Sequence, residues 1–524
     1  MTFSSWSFLF FFFLLCVVYG ISSRLFKKVL FNKILLLLAS LIFYAWAGVK
    51  NFPFLFFSLF SSYFAGMFIE QKKSVSVRNV VLVLAIVLNL LMLVVFKYAN
   101  FLIATANSMF PQNAGFAPVS FILPLGISFY VFQVISYLID VSRETVKAER
   151  NFLDYSLYVL YFPQIIQGPI ERYSDLSPQF NNIAVFDYRR ITDGLKRIAW
   201  GLFKKLYIAD FFGLYVNEVY GDVSKSSGIA LLIATFFYAV QIYADFSGYM
   251  DVAVGASRIL GIKISENFDH PYFSKTISEF WRRWHITLGA WFKDYLFYPV
   301  FRKCNDTFGK KLRKSGHKNI SKILPQIFSL LVVWFATGLW HGANWTFVFW
   351  GLWHGLFIIL ESLSEKKVVL FKSKLGISSD SKRYGAFQVA KTFIIVCIGY
   401  IFFRASSCTD VVIVIKKVLM AGSDVKEIIS SLHSMGGVAE AKEVVRDILM
   451  LDSFRYKNFA KALFLVFAGF LISFMTQRRS GIELVSSKRI AIRWILYTIL
   501  ILLTFSALID INSGLHTSFI YNQF

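Results

Sequence analysis

The sequence predicts an all-α polytopic membrane protein of about twelve transmembrane helices, with re-entrant or interfacial helices around a central polar tunnel. Three observations carry this reading. Apolar runs of about 17 to 22 residues recur along a chain of 524 residues that is 56% hydrophobic. Basic loops alternate with nearly uncharged ones in the order in which successive helices would cross a bilayer. Phenylalanine (59), tyrosine (25) and tryptophan (12) are heavily used, as lipid-facing surfaces and interfacial belts require. The formal charge of +24 gathers in loops between apolar runs, so the positive-inside rule accounts for it and no nucleic acid is implied as a partner. Cys16, Cys304, Cys397 and Cys408 show no metal-ligand spacing, and the two inside apolar runs, Cys16 and Cys397, behave as small hydrophobes.

The first apolar run, Trp6 to Ser22, has no basic residue before it and no small-residue cleavage site after it, so it is expected to stay as a helix. Arg24, Lys27, Lys28 and Lys33 follow and mark a cytoplasmic loop. Helices are expected at 34–49, 53–69 and 79–97, with Lys72, Lys73 and Arg78 between the last two. The stretch from Ala104 to Ser120 carries no charge and belongs outside. A fifth helix, 119–140, opens with Pro124-Leu125-Gly126 and ends at Asp140. Tyr155 to Tyr173 is too short in its apolar part to span and is broken by Pro163, Gly168 and Pro169, so a re-entrant or interfacial segment fits it.

From Asp187 to Lys205, six basic residues on a helical pattern predict an amphipathic helix on the anionic cytoplasmic leaflet. Helices at 206–220 and 228–246 go out and back, the second leading into Asp245 and Asp251, which read better as structural partners for arginines than as the lining of a polar tunnel. The loop from Lys263 to Lys322 holds 13 Lys and Arg against 5 Asp and Glu, a surplus of +8 that places it in the cytoplasm. Within it, Trp281, Trp284, His285, Leu288, Phe292 and Tyr295 form one stripe at helical spacing, with Arg282, Arg283, Lys293 and Asp294 away from it. A lone histidine on such an apolar face is more often a satisfied core group than a catalyst. Further helices are expected at 324–341, 346–361, 387–404, 457–476 and 493–511, with a mixed-charge, non-spanning segment at 405–456 outside the membrane. Both termini then lie outside. The chain divides into N-terminal helices (1–118), a catalytic core (119–362) and C-terminal helices (363–524).

Between the helices at 324–341 and 346–361 stands Thr337-Gly338-Leu339-Trp340-His341-Gly342-Ala343-Asn344-Trp345, echoed by Gly351-Leu352-Trp353-His354-Gly355. An ionisable side chain at membrane depth is costly and by default marks a functional site, which makes His341 the first candidate. Imidazole titrates near neutrality and suits removal of a proton from a hydroxyl.

These segments resemble the membrane-bound O-acyltransferase family, in particular its bacterial alginate O-acetylase branch. The matching blocks are PLGISFYVFQVISYLIDV from Pro124, YFPQIIQGPIERYSDLSPQF from Tyr161, QIYADFSGYMDVAVG from Gln241, FWRRWHITLGAWFKDYLFYPV from Phe280 and GLWHGANWTFVFWGLWHG from Gly338. The resemblance implies an O-acyltransferase of the bacterial inner membrane in which His341 corresponds to the catalytic histidine and His285 to the second family histidine. It further implies a cytoplasmic acetyl donor, acetyl-CoA, an acyl path across the membrane, an exported polysaccharide as acceptor and an extracytoplasmic acetyltransferase partner that completes the transfer. Trp340, Asn344 and Trp345 are expected to line the site, Arg282 and Arg283 to meet the donor's phosphates or lipid headgroups, and His354 to be structural. Acylation of teichoic acid or peptidoglycan is the nearest alternative within the family. A transporter without chemistry of its own is the alternative outside it, disfavoured by the absence of repeats.

Single cysteines test the orientation. S4C and S430C should label with an impermeant thiol reagent from outside and K314C only after the membrane is opened; labelling of K314C in intact cells would contradict the assigned sides.

Overall fold

A computed structural model of the chain describes residues 1–510 apart from 26–27, 47, 73, 111–114, 122, 183–185, 375, 377, 379–380, 434–436 and 478–480. The expected C-terminal end of the chain (511–524) and the basic residues Lys27, Lys73, Arg478 and Arg479 therefore lie outside the described residues. Among the described residues the chain is helical. Its extended pairing is limited there to one isolated antiparallel bridge between Phe268 and Trp284.

The first five helices are α1 (Trp6–Leu25), α2 (Val29–Ala45), α3 (Phe52–Gln71), α4 (Val75–Leu93) and α5 (Ile127–Ser142). After α4 the same rod continues through a π-helical turn (Val94–Tyr98) to Met109. Then come α6 (Phe152–Leu160), α7 (Tyr188–Leu202) and α8 (Asp210–Gly221), the last two joined by a second π-helical turn (Phe203–Ala209), followed by α9 (Gly228–Ile259). The loop beyond holds α10 (Ile277–Arg283) and α11 (Ile286–Phe292). The helices α12 (Ile320–His341), α13 (Trp345–Lys374) and α14 (Lys382–Arg404) lead to three short ones, α15 (Cys408–Leu419), α16 (Gly422–Leu432) and α17 (Gly437–Ile448), and the chain closes with α18 (Leu451–Thr476) and α19 (Ile490–Asp510). A helix thus stands at each place where the apolar runs predicted one. Among the described residues, nine are long and apolar enough to cross a membrane, while α2 and α5 are apolar but shorter.

Four local features depart from or sharpen these expectations. Residues 119–121 and 123–126 are not helical: Gly126, with φ +74°, opens α5 one residue before Ile127, and a Cβ there would lie 2.4 Å from the carbonyl oxygen of Ile165. The segment after α6 is neither a span nor a surface loop, because every residue from 155 to 171 is buried. Its irregular backbone is held from inside the protein: Ser40 Oγ accepts from the Phe162 amide at 3.1 Å, Thr287 Oγ1 accepts from the Ile170 amide at 3.1 Å, and Gln133 Nε2 donates to the Tyr158 carbonyl at 2.7 Å. That is the condition under which non-helical backbone survives at membrane depth.

The basic helix α7 packs along α9, where carboxylates meet its cations. Arg197 pairs with Asp251 (2.5 Å) and Glu266 (2.6 Å), and Lys204 pairs with Asp251 (2.5 Å). Beyond it, Lys205 lies between Asp210 and Asp245, 2.8 Å from each. Asp245 and Asp251 are accordingly structural, as expected, but the partners are not all arginines: Asp251 meets Arg197 and Lys204, and Asp245 meets Lys205. The fourth change concerns the tryptophan-rich stripe, which is not one helix. His285 takes a left-handed conformation (φ +48°) and divides α10 from α11. Three polar contacts fix the break: the Ile286 amide donates to the Asn267 carbonyl (3.1 Å), the Thr287 amide to Asn267 Oδ1 (2.9 Å), and the Asp269 amide to the Arg283 carbonyl (2.9 Å).

The hairpin α12–α13 positions the candidate site. At Gly338 a Cβ would lie 2.4 Å from the Phe347 carbonyl oxygen, and at Gly351 2.2 Å from that of Trp334, so the two backbones touch through these glycines. The TGLWHG stretch and its echo are therefore the two sides of one helix crossing. Across the molecule, the segment 405–456 clamps the α8–α9 turn: Lys417 Nζ donates to the carbonyls of Ser224 (2.6 Å) and Ser226 (2.8 Å), and Ser227 Oγ donates to that of Ile448 (2.7 Å). Replacing Gly338 by leucine should force the crossing apart and cost about 1–3 kcal/mol or more. The check is thermal unfolding of the detergent-purified protein, where an unchanged midpoint would contradict so close a contact.

Candidate active site

His341 is the last residue of α12, and its imidazole is buried in an aromatic enclosure. Ring centroids of Trp350, Trp340 and Phe403 stand 4.6, 4.9 and 5.3 Å from it. Trp340 in turn faces Phe129 (5.3 Å), Phe132 (5.8 Å) and His285 (5.9 Å). The break between α10 and α11 makes this meeting possible, because it turns His285 inward against Phe246 (4.8 Å) and the Trp340 indole. One indole therefore lies against both imidazoles.

Beside His341 opens a cavity of about 190 Å³ lined by the loop 123–126, the start of α5, Ile166, Gln167, Lys97, Trp340 and His341. Three of the five blocks line it. Pro124-Leu125-Gly126 supplies the non-helical wall, the buried segment 161–171 the floor, and α12 the histidine.

The other candidates divide. Asn344 Oδ1 accepts from the Thr346 amide (3.0 Å) and Asn344 Nδ2 donates to the Ser406 carbonyl (3.1 Å), so the side chain caps α13 and ties its start to the segment after α14. Trp345 is 40% exposed, with Nε1 3.3 Å from Thr105 Oγ1 and its ring against Phe101 (5.5 Å), away from the cavity. The structure thus brings His341, His285 and Trp340 together and leaves Asn344 and Trp345 outside. Arg283 pairs with Glu279 on its own helix (2.7 Å), whereas Arg282 is exposed. His354 is boxed by Trp281 (5.1 Å), Trp350 (5.2 Å) and Trp334 (5.9 Å) at the helix crossing.

Residues 140–407 match the membrane-bound O-acyltransferase family. The chain belongs to that family. It is 35% identical over 389 residues, 72% of both chains, to the probable alginate O-acetylase AlgI of Pseudomonas putida. With the peptidoglycan O-acetyltransferase of Helicobacter pylori it shares 32% over 464 residues, 82% of this chain and 81% of the other. It is 27% identical over 290 residues, 55% of this chain and 70% of the other, to the teichoic acid D-alanyltransferase of Bacillus subtilis. The chain is therefore a multi-pass membrane enzyme, an O-acyltransferase, and the family's matched region contributes Ile166, Gln167, Trp340 and His341 to the cavity, while Lys97 and residues 123–129 precede it.

The one charged residue that lines the cavity escapes both the sequence motifs and that matched region. Lys97 is the only charged residue between Arg78 and Asp140, and it sits in the π-helical turn that follows α4. Its isolation within a long apolar run was the available signal.

Proposed function

We propose that this acyltransferase moves an acetyl group from acetyl-CoA, bound at the basic cytoplasmic face, to a hydroxyl on the opposite side of a bacterial inner membrane, on the way to an exported polysaccharide. The observation that carries the proposal is the burial of His341 at the end of a spanning helix with its ring beside the cavity. In the transfer, His341 takes the proton of the acceptor hydroxyl while the oxygen attacks the thioester carbonyl. The carbon–sulfur bond breaks, and the departing thiolate takes a proton back from the imidazolium, so atoms and charge balance. Trp340, set against both histidines, holds the reacting imidazole in place, and His285 orients or shares the proton.

Arg282, exposed on α10, and the neighbouring basic loop supply positive charge for the donor's phosphates on the cytoplasmic face. The acceptor class rests on two relatives named for O-acetylation of exported glycans. A separate extracytoplasmic acetyltransferase partner would receive the acetyl group and complete its delivery.

His341→Ala should reduce acetylation by about 10² to 10⁴ while membrane insertion stays normal. His354→Ala, at the helix crossing, should cost far less activity. The measurement is the O-acetyl content of exported glycans in cells carrying each variant as their sole copy. Near wild-type acetylation by His341→Ala at normal protein level would remove the proposed mechanism.

A further inference from the structure

A helix that ends within an apolar bundle leaves its last carbonyls without intrahelical donors. At the end of α12 two of these carbonyls are claimed by consecutive residues of another helix. Lys97 Nζ donates to the Trp340 carbonyl at 2.6 Å, and Tyr98 OH donates to the Leu339 carbonyl at 2.7 Å. Consecutive residues on a regular α-helix point about 100° apart. Here both fall within a π-helical turn, Val94–Tyr98, a distortion found frequently at functional sites.

Lys97 has two further ties to the site. Its ammonium lies 3.4 Å from Ser128 Oγ and 6.0 Å from the centroid of the Trp340 ring, and the residue lines the cavity together with His341. Among the described residues its hydrogen-bond partners are carbonyl and hydroxyl oxygens, not carboxylates. An internal ion pair would explain a lysine in an apolar run as simple charge compensation. A cation aimed at the C-terminal carbonyls of the helix that carries the candidate base has a different physical meaning, since positive charge there complements the helix dipole and fixes the final turn.

We infer that Lys97 is a positioning residue of the acyltransferase: it clamps the last turn of α12 and so sets where Trp340 and His341 present their rings to the cavity. The inference rests on the reading of His341 as the transferring base. Loss of the ammonium leaves the Trp340 carbonyl without this donor and frees the last turn, and small displacements of a reacting group are costly in rate. Tyr98 supplies the second, uncharged half of the clamp.

The test uses the full-length protein in membranes, with radiolabelled acetyl-CoA as the probe and initial rates of acetyl transfer as the readout. Lys97→Met should lower the maximal rate by about ten-fold or more while the KM for acetyl-CoA stays within about two-fold. Lys97→Arg, which keeps a cationic donor, should recover a substantial part of that rate; loss of bulk packing alone would not be relieved in this way. A near wild-type maximal rate in Lys97→Met at normal protein level overturns the inference, as does Lys97→Arg being as impaired as Lys97→Met. If Lys97→Met does not accumulate, Tyr98→Phe decides: a reduced maximal rate with unchanged KM supports the clamp, and an unchanged rate overturns it. His341→Ala run alongside separates the two levels. If it abolishes transfer while Lys97→Met does not, only the clamp fails; if neither variant loses transfer, the reading of His341 fails as well.

Discussion

Backbone polar groups inside an apolar bundle must find partners within the protein, and this requirement shapes the centre of the molecule. The helix carrying His341 stops at the cavity, and Lys97 and Tyr98 satisfy the carbonyls it leaves. The buried segment beneath the cavity keeps only scattered turn bonds, Ser40 and Thr287 accept from two of its amides, and Gln133 donates to a carbonyl in the last turn of the helix before it. Irregular backbone is what makes room for a site at this depth, since a bundle of unbroken helices would fill it. The polar side chains that repair each break belong to the architecture of the cavity as much as the residues lining it.

The same logic explains how two histidines far apart in sequence meet. His341 arrives at a helix end, His285 at a left-handed break between two short helices, and both face one indole. The echo of the tryptophan–histidine–glycine motif serves a different purpose. Its glycine lets α13 approach α12 closely, and its histidine fills a box of three tryptophans at the crossing. One motif shape thus appears twice because it lies on both sides of one contact.

Much of this was legible in the sequence, for reasons that differ by element. The long helices follow from apolar runs whose length matches a bilayer. His341 followed from the cost of imidazole in lipid, and the structural reading of Asp245 and Asp251 is met by Lys205, Lys204 and Arg197. Helical periodicity ran through Trp284 and His285 without showing a break, because the break is imposed by Asn267 and the backbone around Asp269, distant partners that no local pattern reveals. The basic stretch from Asp187 to Lys205 showed an amphipathic helix but not the helix it packs on. Asn344 and Trp345 share the motif with His341, yet the turn between α12 and α13 directs one into a helix cap and the other outward. Lys97 lay in plain view as a solitary charge, but its meaning depends on a carbonyl at the end of a helix more than two hundred residues away.

The central claim is that the acyl group crosses to meet His341 at the cavity. The most direct test is a structure of the full-length protein in lipid with a non-hydrolysable thioether analogue of acetyl-CoA. The account predicts the acyl carbonyl within about 3–4 Å of the His341 imidazole, beside Trp340, with the nucleotide phosphates on the cytoplasmic side near Arg282 and Arg283. An acyl end resting against His354 or at the lipid-facing surface, with His341 out of reach, would contradict it.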